Sequence, residues 1–202
     1  MRAGVSDTVV VTQTGAGGAR CAARLRSEGF SAVHLPLTGF GPPDDPQPWE
    51  QAQASLMAGA YRWTVLTSPQ AARAFVQQVP AQLAGPCAAV GAGTAQVLQA
   101  AGVEVQFVPS QADAQHLAAE LPCEPGDRVL HPRSAEAAPT LSRSLAARGC
   151  TVDSVALYRP CPLALPPSNG RNFAWQQRSL WRLDRRRGLW QPAWGPPLPS
   201  NR

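Results

Sequence analysis

One pattern constrains this chain more than any other. Short β-rich apolar runs alternate with helical stretches, and three of those stretches close on Leu-x-x-x-Gly, at Leu25–Gly29, Leu98–Gly102 and Leu145–Gly149. A glycine just past the last periodic residue is the usual stop signal of a helix, because it adopts positive φ at little steric cost. The strands read as Val9–Thr12, Ala32–Leu37, Thr64–Thr67, Ala88–Val90, Val105–Val108, Arg128–His131 and Val152–Tyr158. Helices read as Gly18–Ser27, Trp49–Ala58, a stretch opened by Ser68-Pro69, one running from Gly91–Thr94 to Ala101, Asp113–Leu121 and Ala137–Ala147. Alternating β and α units of this length predict a parallel sheet covered by helices on both faces, hence the α/β class. Thr38–Pro48, rich in Gly, Pro and Asp, reads as a connector.

The Leu-x-x-x-Gly units at 25–29 and 145–149 lie 120 positions apart, and at nearly that offset Val10-Val11-Thr12 is echoed by Val129-Leu130-His131. Continued, that repeat would place a second Thr-Ser-Pro run near residue 184 and a second Gly-x-x-Thr-Ala near 211. Residue 184 instead opens Asp184-Arg-Arg-Arg-Gly188, and the chain has 202 residues.

The charge is as uneven as the repeat. Residues 1–164 carry 11 arginines against 12 acids, whereas residues 165–202 carry 7 arginines and one acid, so the net charge of +5 resides in the tail. The body therefore lacks the basic stripe that nucleic-acid binding requires. The tail also holds four of the six tryptophans (Trp175, Trp181, Trp190, Trp194) and four prolines between 192 and 199. It is read as an aberrant, disordered end, with a basic aromatic arm as the alternative.

Several chemistries are excluded. Gly15-Ala-Gly17-Gly18 follows a strand, but the next position of a dinucleotide fingerprint is Arg20 and no acid closes the second strand at Leu37. The chain has no lysine and so no Walker-type phosphate loop. Five cysteines (Cys21, Cys87, Cys123, Cys150, Cys161) are odd in number and lack C-x-x-C spacing, so reduced thiols are expected. His34, His116 and His131 form no ligand cluster, and no metal is expected. No apolar run is long enough to span a membrane, and with no long apolar stretch before the first strand no secretory signal is expected.

The order of motifs resembles one family. Val9-Val-Val-Thr12, Leu25-x-x-x-Gly29 with Leu35-Pro36-Leu37, and Trp63-Thr-Val-Leu-Thr-Ser-Pro-Gln-Ala-Ala-Arg-Ala-Phe75 open the series. Ala89-Val-Gly-Ala-Gly-Thr-Ala95, Phe107-Val-Pro109, Gly126-Asp-Arg-Val-Leu130 and Val155-Ala-Leu-Tyr-Arg159 continue it. This succession, over about residues 8–160, is similar to the uroporphyrinogen-III synthases. The resemblance implies two flavodoxin-like domains, each a doubly wound parallel sheet, one of them discontinuous, with the active site in the cleft between them. One domain is complete here and the other incomplete. Residues 1–37 would begin domain one, 38–46 would link, 47–158 would form domain two, and 159–202 would be a tail in which the family's C-terminal part is missing or frame-altered. Gln13 stands where the family commonly has Arg.

The resemblance further implies a cytoplasmic, monomeric lyase of haem biosynthesis that needs no cofactor. Its partner is one small molecule, hydroxymethylbilane, with neither nucleic acid nor membrane. It closes this linear tetrapyrrole of eight carboxylates with inversion of the last ring. Tyr158, in the Val-x-x-Tyr-Arg motif, is implied to assist departure of the hydroxyl. Thr12, Thr67, Ser68, Gly91, Thr94 and Arg133 lie at strand ends or helix starts, where free N–H groups favour carboxylates. Ser68 and Thr94 read as helix caps, either alone or with a ligand contact besides, and Arg133 and Arg159 as partners of carboxylates or as solvated charges. A non-catalytic anion-binding module, or a nucleic-acid binder acting through the tail, stands as the alternative.

Overall fold

The computed structural model describes residues 8–163, 181–184 and 189–192. In chain order its elements are β1 (Thr8–Val11), α1 (Gly15–Ser27), β2 (Ser31–His34), β3 (Thr38–Gly41), α2 (Gln47–Met57), β4 (Trp63–Leu66), α3 (Pro69–Val76), a 3-10 turn at Ala81–Leu83 and β5 (Cys87–Ala89). There follow α4 (Ala92–Ala100), β6 (Val105–Phe107), α5 (Ala114–Glu120), β7 (Arg128–Ser134), α6 (Thr140–Ala147), β8 (Thr151–Pro162), β9 (Trp181–Asp184) and β10 (Leu189–Pro192). The chain divides into two compact units. One takes residues up to Gly41 and resumes at Pro160; the other is built on Pro42–Arg159.

The Leu-x-x-x-Gly pattern has a local physical cause. At each site the glycine lies just past the helix with φ between 80° and 88°, at Gly29, Gly102 and Gly149. Its N–H donates to the carbonyl three residues back, and the next N–H donates to the leucine carbonyl: Phe30 to Leu25 at 3.0 Å, Val103 to Leu98 at 3.0 Å and Cys150 to Leu145 at 3.1 Å. These are Schellman turns, in which orphan carbonyls of the last helical turn find donors. Leu98 and Leu145 are fully buried, and Val103 and Cys150 beyond the glycines are buried too.

In the larger unit β8, β7, β4, β5 and β6 lie side by side in that order, all parallel. β4 is central and buried along its whole length. Its side chains alternate as a pleated strand requires. Trp63 and Val65 enter a cluster with Leu117 and Leu121 of the α5 segment and Leu141 and Leu145 of α6. Thr64 faces the other way and donates its hydroxyl to the Ala84 carbonyl at 3.1 Å. Helices α3 and α4 pack together, and Phe75 and Leu98 are fully buried. The expected α/β class with a helix-covered parallel sheet is what the chain adopts.

In the smaller unit β1 and β2 pair in parallel, Thr8 opposite Ser31 and Val11 opposite His34. Gly18 of α1 is fixed by close approach, since a Cβ there would collide with the Gln13 carbonyl oxygen and lie 2.5 Å from His34 Nε2.

Three local expectations give way. The connector from Thr38 contains a strand, β3, next to β8 in the sheet order. Here the Leu163 side chain lies 2.8 Å from where a Cβ at Gly39 would stand, and the Leu163 N–H donates to the Leu37 carbonyl at 2.9 Å. β7 runs on through Pro132 to Ser134, because its pairing with β4 ends at Leu130 while pairing with β8 continues. A proline without an N–H is tolerated where one side of the strand is no longer laddered. Finally, the tail expected to lack regular structure contains β9 and β10 as an antiparallel pair, Trp181 opposite Pro192. The rest of the expectation about 164–202 falls outside the described residues.

Candidate functional site

In the larger unit the sequence-predicted residues gather at the carboxyl ends of the parallel strands, the edge at which open α/β sheets bind ligands. Thr67 and Ser68 follow β4, Gly91 lies just beyond β5, Arg133 is the last residue but one of β7 and Tyr158 sits on β8. The starts of α3 and α4 are neighbours: a Cβ on Gly93 would stand 3.8 Å from Pro69 Cγ. Thr12 belongs to the smaller unit, exposed immediately after β1.

Each position has a definite local role. Ser68 is the N-cap of α3, its Oγ accepting from the Ala71 N–H at 3.0 Å. Thr94 is not a cap, against the expectation from sequence. Gly91 holds that position, and Thr94 lies in the first turn of α4, 2 % exposed. The Gly91 carbonyl accepts from the Thr94 and Ala95 N–H groups, both at 3.0 Å. Gly91 has extended backbone that any residue could adopt. It is held to glycine by packing, since a Cβ there would stand 2.8 Å from Ala112 Cβ. No side chain caps α4.

Arg133 is not a solvated charge. Its Nε donates to Ser154 Oγ at 2.8 Å, and its Nη1 donates to the Ser134 carbonyl at 2.9 Å and the Ala137 carbonyl at 2.9 Å. The guanidinium thus ties the turn after β7 to β8. Tyr158 is 7 % exposed and stands opposite Ser134, just past a slip in register between Arg133 and Ser134. Such bulges re-aim side chains at sheet margins. Arg159, the neighbour of Tyr158, is ion-paired through Nε with Asp44 at 3.0 Å.

Sequence reading missed the group that joins these tips. His131 of β7 is 2 % exposed; its Nε2 lies 3.3 Å from Thr67 Oγ1 and its Nδ1 3.4 Å from Ser154 Oγ. Thr67, His131, Ser154 and Arg133 therefore form one polar chain across β4, β7 and β8. Burial, with the Arg133 charge adding to it, pushes the imidazole from its ordinary 6.5 down to about 4, so the ring is neutral near pH 7. The signal was present in the sequence, as a histidine two residues after Val129 on a strand of the sheet, but a lone histidine does not announce its partners.

Two cavities lie outside Thr67, Gly91, Arg133 and Tyr158, the second of them bordering Ser154. One of about 560 Å³ is lined by Gly85, Pro86, Gly102 and Glu104, at the opposite ends of β5 and β6. Another of about 450 Å³ lies between α2 and β8 over Tyr61, Arg128 and Asp153. There Asp153 Oδ2 accepts from Tyr61 Oη at 2.6 Å and from Arg128 Nη2 at 2.7 Å, so its charge is already matched. Among the described residues no three His, Cys, Asp or Glu side chains are grouped to hold a metal ion, and no helix is long and apolar enough to cross a membrane.

Residues 19–175 match the family described as uroporphyrinogen-III synthase HemD. The chain belongs to the uroporphyrinogen-III synthase family. It is 30 % identical over 172 residues to a uroporphyrinogen-III synthase of Synechococcus elongatus, covering 80 % of this chain and 64 % of the relative. It is 32 % identical over 179 residues to a chloroplastic uroporphyrinogen-III synthase of Oryza sativa subsp. japonica, covering 79 % of this chain and 57 % of the relative. Among solved structures, a mutant uroporphyrinogen III synthase of the extremely thermophilic bacterium Thermus thermophilus superposes with a TM-score of 0.54 at 20 % identity. That likeness covers 77 % of this chain and 63 % of that one and shows the shared fold. The chain thus spans less than two thirds of the length of these relatives.

Proposed function

We propose that the chain acts as a uroporphyrinogen-III synthase in the cytoplasm, as a monomer without a cofactor. Hydroxymethylbilane would be closed to uroporphyrinogen III with inversion of the last pyrrole ring. The observation that carries this reading is the convergence, in a chain of this family, of Thr67, Ser68, Gly91, Thr94 and Tyr158 on one edge of a parallel sheet.

The chemistry asks mainly for shape. Loss of the terminal hydroxyl leaves an azafulvene cation, and the protein must present the substituted carbon of the last ring, rather than its neighbour, for attack. The resulting spiro-pyrrolenine then fragments and recloses. Tyr158 is the proposed proton donor to the departing hydroxyl. The first turn of α4, beside Thr94, is the best-suited anion contact at this edge, because no side chain caps it and a helix N-terminus favours negative charge. Ser68 is engaged with its own helix and Arg133 with its own turn, so their contribution is to hold the edge in shape. Thr12, just after β1, is the remaining proposed substrate contact.

The test is isomer analysis. Hydroxymethylbilane generated enzymatically is supplied to the full chain, and the products are separated after oxidation to porphyrins. Type III above the spontaneous type I background supports the proposal, with Tyr158→Phe expected to lower the rate about 10²-fold. Type I alone overturns it in favour of a non-catalytic anion-binding module.

A further inference from the structure

We propose that Cys123 and Cys150 are a dithiol pair that closes to a disulfide when the protein meets a small-molecule disulfide such as oxidised glutathione. Among the described residues no cysteine is in a disulfide, and sequence spacing suggested no pairing, since these two lie 27 positions apart. The fold nevertheless brings their sulfurs to 3.0 Å, with both residues only 6 % exposed.

The juxtaposition is enforced from several sides. Cys123 lies in the loop leading from α5 to β7, and Cys150 is the residue beyond the Schellman glycine of α6, immediately before β8. Arg148 clamps the two segments together: its Nη2 donates to the Cys123 carbonyl at 2.9 Å, and its Nη1 donates to the carbonyls of Leu121 and Ala118. The Gly126 N–H donates to the Gly149 carbonyl at 2.9 Å and the Thr151 N–H to the Asp127 carbonyl at 2.8 Å. Pro125 packs so tightly on Gly149 that a Cβ there would stand 2.9 Å from it. These are ties on both flanks of the two thiols, so little backbone movement separates the pair from a bond.

The exchange balances as two displacements. One cysteine loses its proton to solvent, and its thiolate attacks a sulfur of the small disulfide, releasing one small thiolate. The second cysteine, likewise deprotonated, attacks the protein sulfur of that mixed disulfide and releases the second small thiolate. Two protein thiols are oxidised, one small disulfide is reduced to two thiols, and no other co-reactant is needed. Burial, reinforced by the Cys150 thiol as hydrogen-bond partner, pushes the Cys123 thiol up to about 11, which makes the exchange slow near neutral pH and faster in alkaline buffer. Cys123 lies next to exposed Glu124, so a local opening of that loop admits the reagent. The pair sits at the amino ends of β7 and β8, opposite the edge of the sheet that carries Thr67 and Gly91, so the bond is a staple for the fold.

The experiment uses the full chain carrying Cys21→Ser and Cys161→Ser, which removes the two cysteines that are not buried. The protein is equilibrated in oxidised glutathione with trace reduced glutathione at pH 8, free thiols are alkylated, and non-reduced peptides are mapped. The expected result is one cross-link between the Cys123 and Cys150 peptides. The oxidised protein is also expected to unfold at a denaturant midpoint higher than the same protein after reduction, a gain absent when either Cys123→Ser or Cys150→Ser is added. A map with both peptides alkylated or only glutathionylated overturns the proposal, as does a cross-link that appears only in denaturant.

Discussion

His131 makes stability depend on pH in a window where carboxylates hardly contribute. The imidazole is 2 % exposed, and burial lowers it from 6.5 to about 4. A group with a depressed folded-state value contributes stability that is complete above the unfolded value and is lost as pH falls towards the folded one. The unfolded chain therefore takes up a proton near pH 6.5 while the folded chain resists until about pH 4. The full penalty is about 3 kcal/mol, of which about 2 kcal/mol accrues between pH 7 and pH 5. Asp113 and Glu120 are also held below their ordinary values of 3.8 and 4.5, chiefly by the hydrogen bonds they accept from the His116 N–H and the Ser110 hydroxyl, and act in the same direction at lower pH. The His131→Gln variant removes only the histidine contribution and keeps groups able to meet Thr67 and Ser154. Urea titrations at the two pH values, followed by emission of buried Trp49 and Trp63, should show a midpoint about 1 M lower at pH 5 in the parent than its own value at pH 7. The variant should lose markedly less. Equal losses in parent and variant would refute a buried neutral imidazole at this position.

Two further outcomes follow from the packing. Leu145→Ala empties a fully buried position in the core between α6 and the sheet, and should destabilise the larger unit by about 2–5 kcal/mol in denaturant titrations. Hydrogen exchange should be slowest in β4, β5 and β7, while amides of β1 and β2 exchange much sooner, as read by mass spectrometry of peptides spanning each strand.

The fold class was legible because its signals are local. Where it closes a helical stretch, Leu-x-x-x-Gly marks a Schellman turn, since the positive φ of Gly29, Gly102 and Gly149 and the leucine carbonyl three positions before the C-cap are fixed within one helical turn. Ser68-Pro69 likewise contains its own cap. What escaped was whatever depends on a partner distant in sequence. β3 exists beside β8, and Gly39 is small because Leu163 lies on it. Thr94 was open to reading as a cap because Thr is a common one, yet the extended Gly91 took that place. The polar chain through His131 needs the register that sets it opposite Ser154 and the crossover that brings β4 alongside, and neither is written in any window of the sequence.

Among the described residues the strands of the two units differ sharply in burial, and stability is expected to follow. Parallel strands ordinarily lie under helices on both faces, because their crossovers run over the sheet. β4 meets that condition and is buried at every residue. β1 and β2 do not: Val9, Val10 and Val33 are 37 %, 51 % and 40 % exposed, and Phe30 and Leu37 beside them are 55 % and 43 % exposed. Each apolar side chain left in water forgoes most of the roughly 1.5–3 kcal/mol that full burial would contribute, while the backbone entropy of ordering its strand is still lost. Among the described residues β1 and β2 form a two-stranded ladder with one helix against it, an arrangement that is marginal on those terms. The cooperative core of the chain is therefore the sheet centred on β4, and it is this body, with its edge of Thr67, Gly91 and Arg133, that fixes the geometry of any site built there.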